Sequence, residues 1–476
     1  MDEGVTFPVR AGLDLHVELA RGSAGAGGGG TRAGLMRALR EAIRAGRLAP
    51  GSRLPSYRSL AVDLGIARNT VAGAYAELIA EGWLVARPGS ATRVAPRVVA
   101  PAAERARPAP AGGVARRAHD LMPGRPDTAS FPRAAWLAAA RRALTAAPSQ
   151  ALGLGDPRGQ LPLRRELADY LARARGVHAD AERIVVCSGV DQALRLLAAV
   201  RPTPLAVEGY ALFTQRARWA EAGLSTLPLE LDEGGARVGD LAATGARTVL
   251  LTPAHQFPMG VALHPERRSA VIDWARATDG LLIEDDYDGE YRYDRQPVGA
   301  VQGLDPERVA YVGSVSKSLS PGLRIGWMVL PEWLVGDVLA AKGAWELTVG
   351  CVDQLTLADL LGSGGYDRHV RQSRQRYRLR RDRLVAALAE RAPEVEVSGI
   401  AAGLHALLRL PSGEEETVVR RAGRRGIGLA GLALYRHPDY RGPAVDGLVV
   451  GYGAPPEHAF PAALDALCRL FPGQGG

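Results

Sequence analysis

The chain has 476 residues, 47% hydrophobic and 5% aromatic, which is core enough for two or three domains and excludes a disulfide-stapled miniprotein or a disordered tail. The formal charge is +8, and the three cysteines (Cys187, Cys351, Cys468) stand far apart with no CxxC or Cys/His spacing, so a reducing, cytoplasmic setting is expected and no metal site. No apolar run reaches the ~20 residues of a membrane span, and the opening MDEGVTFPVR lacks the basic-then-apolar order of a signal peptide, so no membrane partner is expected.

The charge is uneven. Residues 1–30 are net −2, residues 31–97 net +7 from eleven arginines against four acidic residues, residues 98–117 net +3, and the remainder is neutral. A basic front ahead of a neutral body suits a nucleic-acid-binding module joined to a small-molecule domain, with a solvated basic face as the alternative.

Residues 22–30 (GSAGAGGGG) have no core-forming capacity. From Thr31 the spacing of Leu35, Leu39 and Ile43 predicts a helix stopping near Gly46. In RLPSYRSLAVDLG, Ser56 can cap a helix that turns Leu60 and Leu64 inward and ends at Gly65. A third helix starts around Ala67, with Val71, Tyr75, Leu78 and Ile79 available to a core, and WLVARPGSATRVA reads as two short strands around Pro88-Gly89.

Three helices and a hairpin make a winged helix-turn-helix. Arg68, Asn69 and Thr70 open the third helix, where side chains reach base edges in a major groove. Arg53, the Ser56 hydroxyl and Arg58 are placed for phosphates, and Gly89 lets the wing tip approach a groove. The alternative is a basic three-helix bundle that binds protein. From about Leu13 to Val94 the segment resembles the GntR family of bacterial regulators, which implies a double-stranded DNA operator as partner.

Residues 98–117 are an Ala, Pro and Arg linker, too poor in large apolar residues to pack. Beyond it, short apolar strands alternate with helices: RIVVCSG, PLAVEG, TVLLTP, a helix from His264 to Ala277, GLLIEDD and RVAYVGSVSK. That alternation predicts an α/β domain on a mostly parallel sheet, and GLHALLRL and GLVVGYG close the chain as two further strand-and-helix units.

Ligands of such sheets sit at the carboxyl ends of the strands. There, Gly189-Val190-Asp191-Gln192 opens a helix whose free N–H groups suit a phosphate. Asp285, Asp286 and Tyr287 follow a buried strand, where a carboxylate suits a protonated pyridine nitrogen, or else caps a loop or binds a metal. Ser314, Ser316 and Arg324 suit a phosphate dianion.

Lysine usage is sharper still. Of 59 basic residues only Lys317 and Lys342 are lysine. Arginine stays protonated, whereas a lysine can lose its proton and condense with an aldehyde. Lys342, in AAKGAW, reads as an ordinary surface lysine; Lys317, in GSVSKSLSPGLRIGW, does not. An aldehyde, a pyridine nitrogen and a phosphate together describe pyridoxal 5'-phosphate.

GDPRGQLPLRRELADYLARARGV, TPAHQFPMG, IEDDYDGEYRYD and SKSLSPGLRIGWMVLP resemble the fold type I aminotransferases and, with the N-terminal module, the MocR subfamily of GntR regulators. The implied domains are a winged helix over 13–97, the linker, and an aminotransferase-like domain over 118–476 with a mostly parallel sheet and a small C-terminal α+β subdomain. The resemblance implies an internal aldimine at Lys317, Asp285 on the pyridine nitrogen and Tyr287 on the ring oxygen. It further implies Gly189, Val190, Gln192, Ser314, Ser316 and Arg324 around the phosphate and Tyr210 stacked on the ring. His255 or Gln256 stands in for an asparagine, and His405 faces the cleft or is a core histidine. No arginine occupies GLVVGYG, so Arg409, Arg436 and Arg441 are the candidates for an effector carboxylate, and Leu212 stands where a GABA-responsive relative carries arginine.

The function these readings imply is a regulator, in a head-to-tail homodimer, that senses pyridoxal phosphate or a small amine or amino acid through the aldimine at Lys317. The other reading is an aminotransferase with an accessory DNA-binding domain.

Overall fold

A computed structural model describes residues 29–87, 90–96, 118–201, 204–221, 223–293, 298–343 and 349–471. They fall into two compact units, one before and one after the linker, and the linker and Gly89 lie outside the described residues.

In the first unit, helix α1 spans Gly29–Arg44, α2 Tyr57–Leu64 and α3 Arg68–Ala80; strands β1 (Leu84–Val85) and β2 (Arg93–Val94) pair antiparallel. The Ser56 hydroxyl accepts the Ser59 N–H at 3.2 Å, capping α2, and Gly65 ends it in the left-handed region at φ 63°. Leu35, Leu39, Val71, Tyr75, Leu78 and Leu84 are buried together as the core. Beyond the expected hairpin, Arg53 bridges Arg93, so the segment before α2 adds a third edge to the wing.

The second unit is built on a seven-stranded sheet. In chain order its strands are β3 (Ile184–Cys187), β4 (Leu205–Glu208), β5 (Thr226–Leu229), β6 (Thr248–Leu251), β7 (Leu281–Asp285), β8 (Val309–Ser314) and β9 (Gly326–Val329). The order across the sheet is β3-β9-β8-β7-β6-β4-β5, and only β9 runs antiparallel to its neighbours. Successive side chains bury on opposite faces: Val185, Val312 and Met328 pack in one core, Val186, Tyr311 and Trp327 in another. The expected strands are present. β5 and β9 were not read from the sequence, β9 because its GWMV follows directly on the residues singled out for chemistry.

Helix α4 (Val190–Val200) follows β3, and the 27-residue helix α5 (Gly365–Arg391) leads to a four-stranded sheet: β10 (Glu396–Ser398), β11 (His405–Arg409), β12 (Ala430–Gly431) and β13 (Gly447–Gly451), in the order β10-β11-β13-β12. Among the described residues no helix is long and apolar enough to cross a membrane.

Candidate functional site

The carboxyl ends of β3, β4, β6, β7 and β8 meet at one edge of the large sheet, where a cavity of about 370 Å³ opens. Its wall brings together Val190, Asp285, Tyr287, Ser314, Ser316, Lys317 and Arg324, segments far apart in the chain. Gly189 holds φ 77°, and a Cβ there would stand 3.1 Å from the Arg324 guanidinium, so glycine leaves that group its place beside the first turn of α4. Arg324 itself adopts φ 53° and donates to the Ser188 carbonyl at 2.7 Å.

The Lys317 Nζ donates to the Gly124 carbonyl at 2.5 Å. Burial holds this amine below the ordinary lysine value, against the pull of Asp288, Asp285 and Asp191. Burial, then the charge of Asp286, pushes the Asp285 carboxyl up to about 7, while Lys317 and a hydrogen bond from Gln215 act the other way. Asp285 Oδ1 is buried with no partner. Burial also pushes Glu208 up to about 7, even though it accepts from Thr252 Oγ1 at 2.6 Å and Gln256 Nε2 at 3.0 Å.

An unpartnered buried carboxylate oxygen, a desolvated amine and a guanidinium with two serines at a helix start fit the pyridine nitrogen, aldehyde and phosphate of pyridoxal phosphate respectively.

Several expected residues stand elsewhere. Tyr210 is turned away from the cavity: its ring packs edge-on to Tyr440 at 5.2 Å, in a core with Leu407 and Leu432. The chain turns at Gly209, where a Cβ would strike the Tyr440 ring, so Ala211 and Leu212 line the wall instead. Neither His255 nor Gln256 reaches the cavity. The His255 ring is buried against Asp288 and Tyr287, the Gln256 amide is spent on Glu208 and the Tyr210 carbonyl, and Phe257 takes the wall position. Gln192 turns back to accept the Ser188 N–H.

Of the arginine candidates, Arg409 donates to Ser398, Arg436 lies over the Tyr440 ring and Arg441 is exposed; none lines the cavity, whereas Arg125 and Arg216 do. Lys342 is no surface lysine: it is 2% exposed and donates to the Pro157 carbonyl. His405 is 4% exposed, and burial drives its imidazole well below the usual value. Sequence reasoning missed Gly124, Gln215 and Phe257 because small, amide and apolar side chains carry no chemical signature.

On the first unit, Arg53, Ser56, Arg58, Arg68 and Asn69 are exposed and Thr70 is half-buried. Ala67 gives α3 no side-chain cap, so N–H groups of its first turn are left to donate to an outside oxygen.

The family pattern of bacterial regulatory proteins of the GntR family matches residues 31–94, and that of aminotransferase class I and II matches residues 121–422. The chain is 33% identical to the HTH-type pyridoxine biosynthesis transcriptional regulator PdxR of Corynebacterium glutamicum, over 88% of this chain and 91% of that protein. It is 30% identical to the probable rhizopine catabolism regulatory protein MocR of Rhizobium meliloti, over 92% and 93%. The chain belongs to the MocR-type family of GntR transcriptional regulators. Like other MocR-type regulators it joins a DNA-binding winged helix to an aminotransferase-like domain of fold type I. Over 75% of its length it is similar to a crystal structure of an archaeal alanine:glyoxylate aminotransferase, at 25% identity and a TM-score of 0.67, covering 91% of that chain.

Proposed function

We propose that this regulator binds pyridoxal 5'-phosphate in the 370 Å³ cavity and that occupancy, by the cofactor or by an amine or amino acid reacting with it, controls how a homodimer grips its operator. One observation carries the reading: Lys317 and Asp285, whose buried Oδ1 has no partner, line a single cavity. Pyridoxal phosphate, when bound, supplies an aldehyde electrophile on an electron-withdrawing ring.

The chain's own residues do the rest. Lys317, desolvated, is held below the ordinary lysine value, which favours its neutral, nucleophilic form relative to a solvated lysine. Asp285 accepts an N–H that water cannot supply, and its raised pKa falls once that donor is present. Ser314, Ser316, Arg324 and the start of α4 bind a dianion. Tyr287, pushed well above the ordinary phenol by burial and by the charges of Asp288 and Asp285, keeps its proton and donates it.

Leu212 and Phe257 exclude water from one wall, in place of a stacked aromatic phenol. With Val449 and Val450 rather than arginine in β13, nothing in that strand orients a carboxylate for efficient turnover, which favours sensing over catalysis. The pyridoxine role in the name of the Corynebacterium relative supports a vitamin-linked signal.

On the winged helix, Arg68, Asn69 and Thr70 read bases, Arg53, Ser56 and Arg58 hold phosphates, and Gly89 lets the backbone approach a groove. The protein works in the cytoplasm. The test is an absorption spectrum of the purified protein, followed by titration of amines and amino acids while both the visible band and DNA mobility are read. A band that moves together with DNA binding is the expected result; no band after added pyridoxal phosphate overturns the reading.

A further inference from the structure

Behind the cavity wall three chain segments converge on a second cluster. His255 follows β6, Asp288 follows β7 and His405 opens β11, and all three side chains are buried. Their donor atoms lie within 4.8 Å of one another. His255 Nδ1 is 2.9 Å from Asp288 Oδ2 and 3.0 Å from the Tyr287 hydroxyl, and the two imidazole rings lie 4.9 Å apart.

His405 Nε2 is buried with no partner. The ring's one backbone hydrogen bond goes to the Pro258 carbonyl and therefore uses Nδ1–H, which leaves Nε2 as a bare lone pair. A neutral imidazole fixed through its other nitrogen by a backbone carbonyl is the arrangement in which histidine ligates metals. Gly403, at φ 69°, makes the approach possible, since a Cβ there would stand 2.4 Å from both Asp288 Oδ2 and His255 Cε1.

We propose that His255, Asp288 and His405 form a binding site for a divalent transition cation of the zinc class, a reading independent of the cofactor. Two imidazoles and a carboxylate are a donor set zinc accepts, with a fourth position open to water. Tetrahedral zinc at ~2.0 to 2.2 Å from each donor sets the donors roughly 3.4 Å apart, so a pair at the 4.8 Å limit closes by about 1.4 Å of side-chain movement. In the metal-free protein the His255 Nδ1–H donates to the Asp288 carboxylate. On binding, the His255 proton shifts to Nε2, the freed Nδ1 lone pair bonds the cation, and neither imidazole loses a proton. The sequence offered no such site because the three ligands share no local spacing.

The test uses full-length protein stripped with a chelator and titrated with zinc chloride against a chromophoric zinc indicator, with cobalt chloride as a visible-band probe of coordination. One saturable equivalent per chain and cobalt bands of tetrahedral intensity are expected. His405→Ala and Asp288→Asn should each weaken that equivalent by ~10- to 100-fold, while His178→Ala, at an exposed position, leaves it unchanged. His405→Gln keeps the bulk if the alanine variant fails to fold, with circular dichroism as the check. No saturable equivalent, or one that survives the cluster variants, overturns the site. Because the ligands named here include neither Lys317 nor Asp285 and the readout is bound metal, failure here leaves the cofactor reading untouched, and the reverse also holds.

Discussion

The winged unit and the cavity unit handle polar groups in opposite ways. The first seals a core from helices adjacent in the chain and leaves its proposed DNA-facing arginines, Arg58 and Arg68, in water, where their charge is intact and screened. The second gathers residues from Pro123 to His437 around one cavity and buries carboxyls at Glu208, Glu284, Asp285 and Glu290, each pushed up to about 7 chiefly by loss of water. A surface that meets a polyanion needs full charges. A pocket that tells one small molecule from another needs groups whose charge depends on what fills it.

The comparison can be broken at either end. The largest effect is expected from Lys317→Ala: a folded protein whose visible band and borohydride-fixed adduct with pyridoxal phosphate are both abolished, while operator affinity of the unliganded form stays. A fixed adduct in the variant would move the reactive amine elsewhere.

Next, Leu78→Ala removes a fully buried side chain from the winged core and should cost that unit about 2 to 5 kcal/mol, lowering one calorimetric transition and leaving the cavity unit's in place. A single shared transition would show that the two units unfold together.

The third concerns pH. In the cofactor-free protein Asp285 stays protonated up to about 7, whereas an unfolded aspartate ionises near ~3.9. The folded state thus binds the extra proton between those values, so this group's stabilisation is complete at low pH and lost as pH rises through 7. Asp285→Asn should therefore raise stability at pH 8 relative to pH 5 by an amount on the order of 2 kcal/mol, read as a higher thermal midpoint at pH 8. An unchanged pH slope would mean the carboxyl is already ionised.

Smaller effects belong to the exposed face. Arg68→Ala should weaken operator binding by ~1 to 3 kcal/mol without moving the cavity spectrum. Ser56→Ala should cost ~1 kcal/mol of stability by losing the α2 cap, read as a shift in the urea midpoint.

How much was legible divides along the same line. The winged helix could be read almost whole, because apolar spacing at Leu35, Leu39 and Ile43, a capping serine and a terminating glycine are all local. The third edge at Arg53 was not, since a bridge to Arg93 spans forty residues of chain. In the larger unit the strand endings at Asp285 and Ser314, and the rarity of lysine, led to the cavity, where Asp285, Ser314 and Lys317 share one wall. The ring of Tyr210 and the side chains of His255 and Gln256 were misplaced because a loop's direction after a strand is set by what it packs on, here Tyr440, Asp288 and Glu208. Lys342 misled for the same reason: its flanking alanines and glycine look exposed, yet the helix end folds onto Pro157.

The sequence by itself determined the two-unit plan, the alternation of strands and helices and the identity of the one lysine in the cavity, since composition, periodicity and residue rarity are properties of the chain. Only the tertiary structure decided that Leu212 and Phe257 wall the cavity, that Asp285 keeps an oxygen unpartnered and that His405 meets His255 and Asp288. These depend on desolvation and on contacts between distant segments, and both come into being only when the chain has packed.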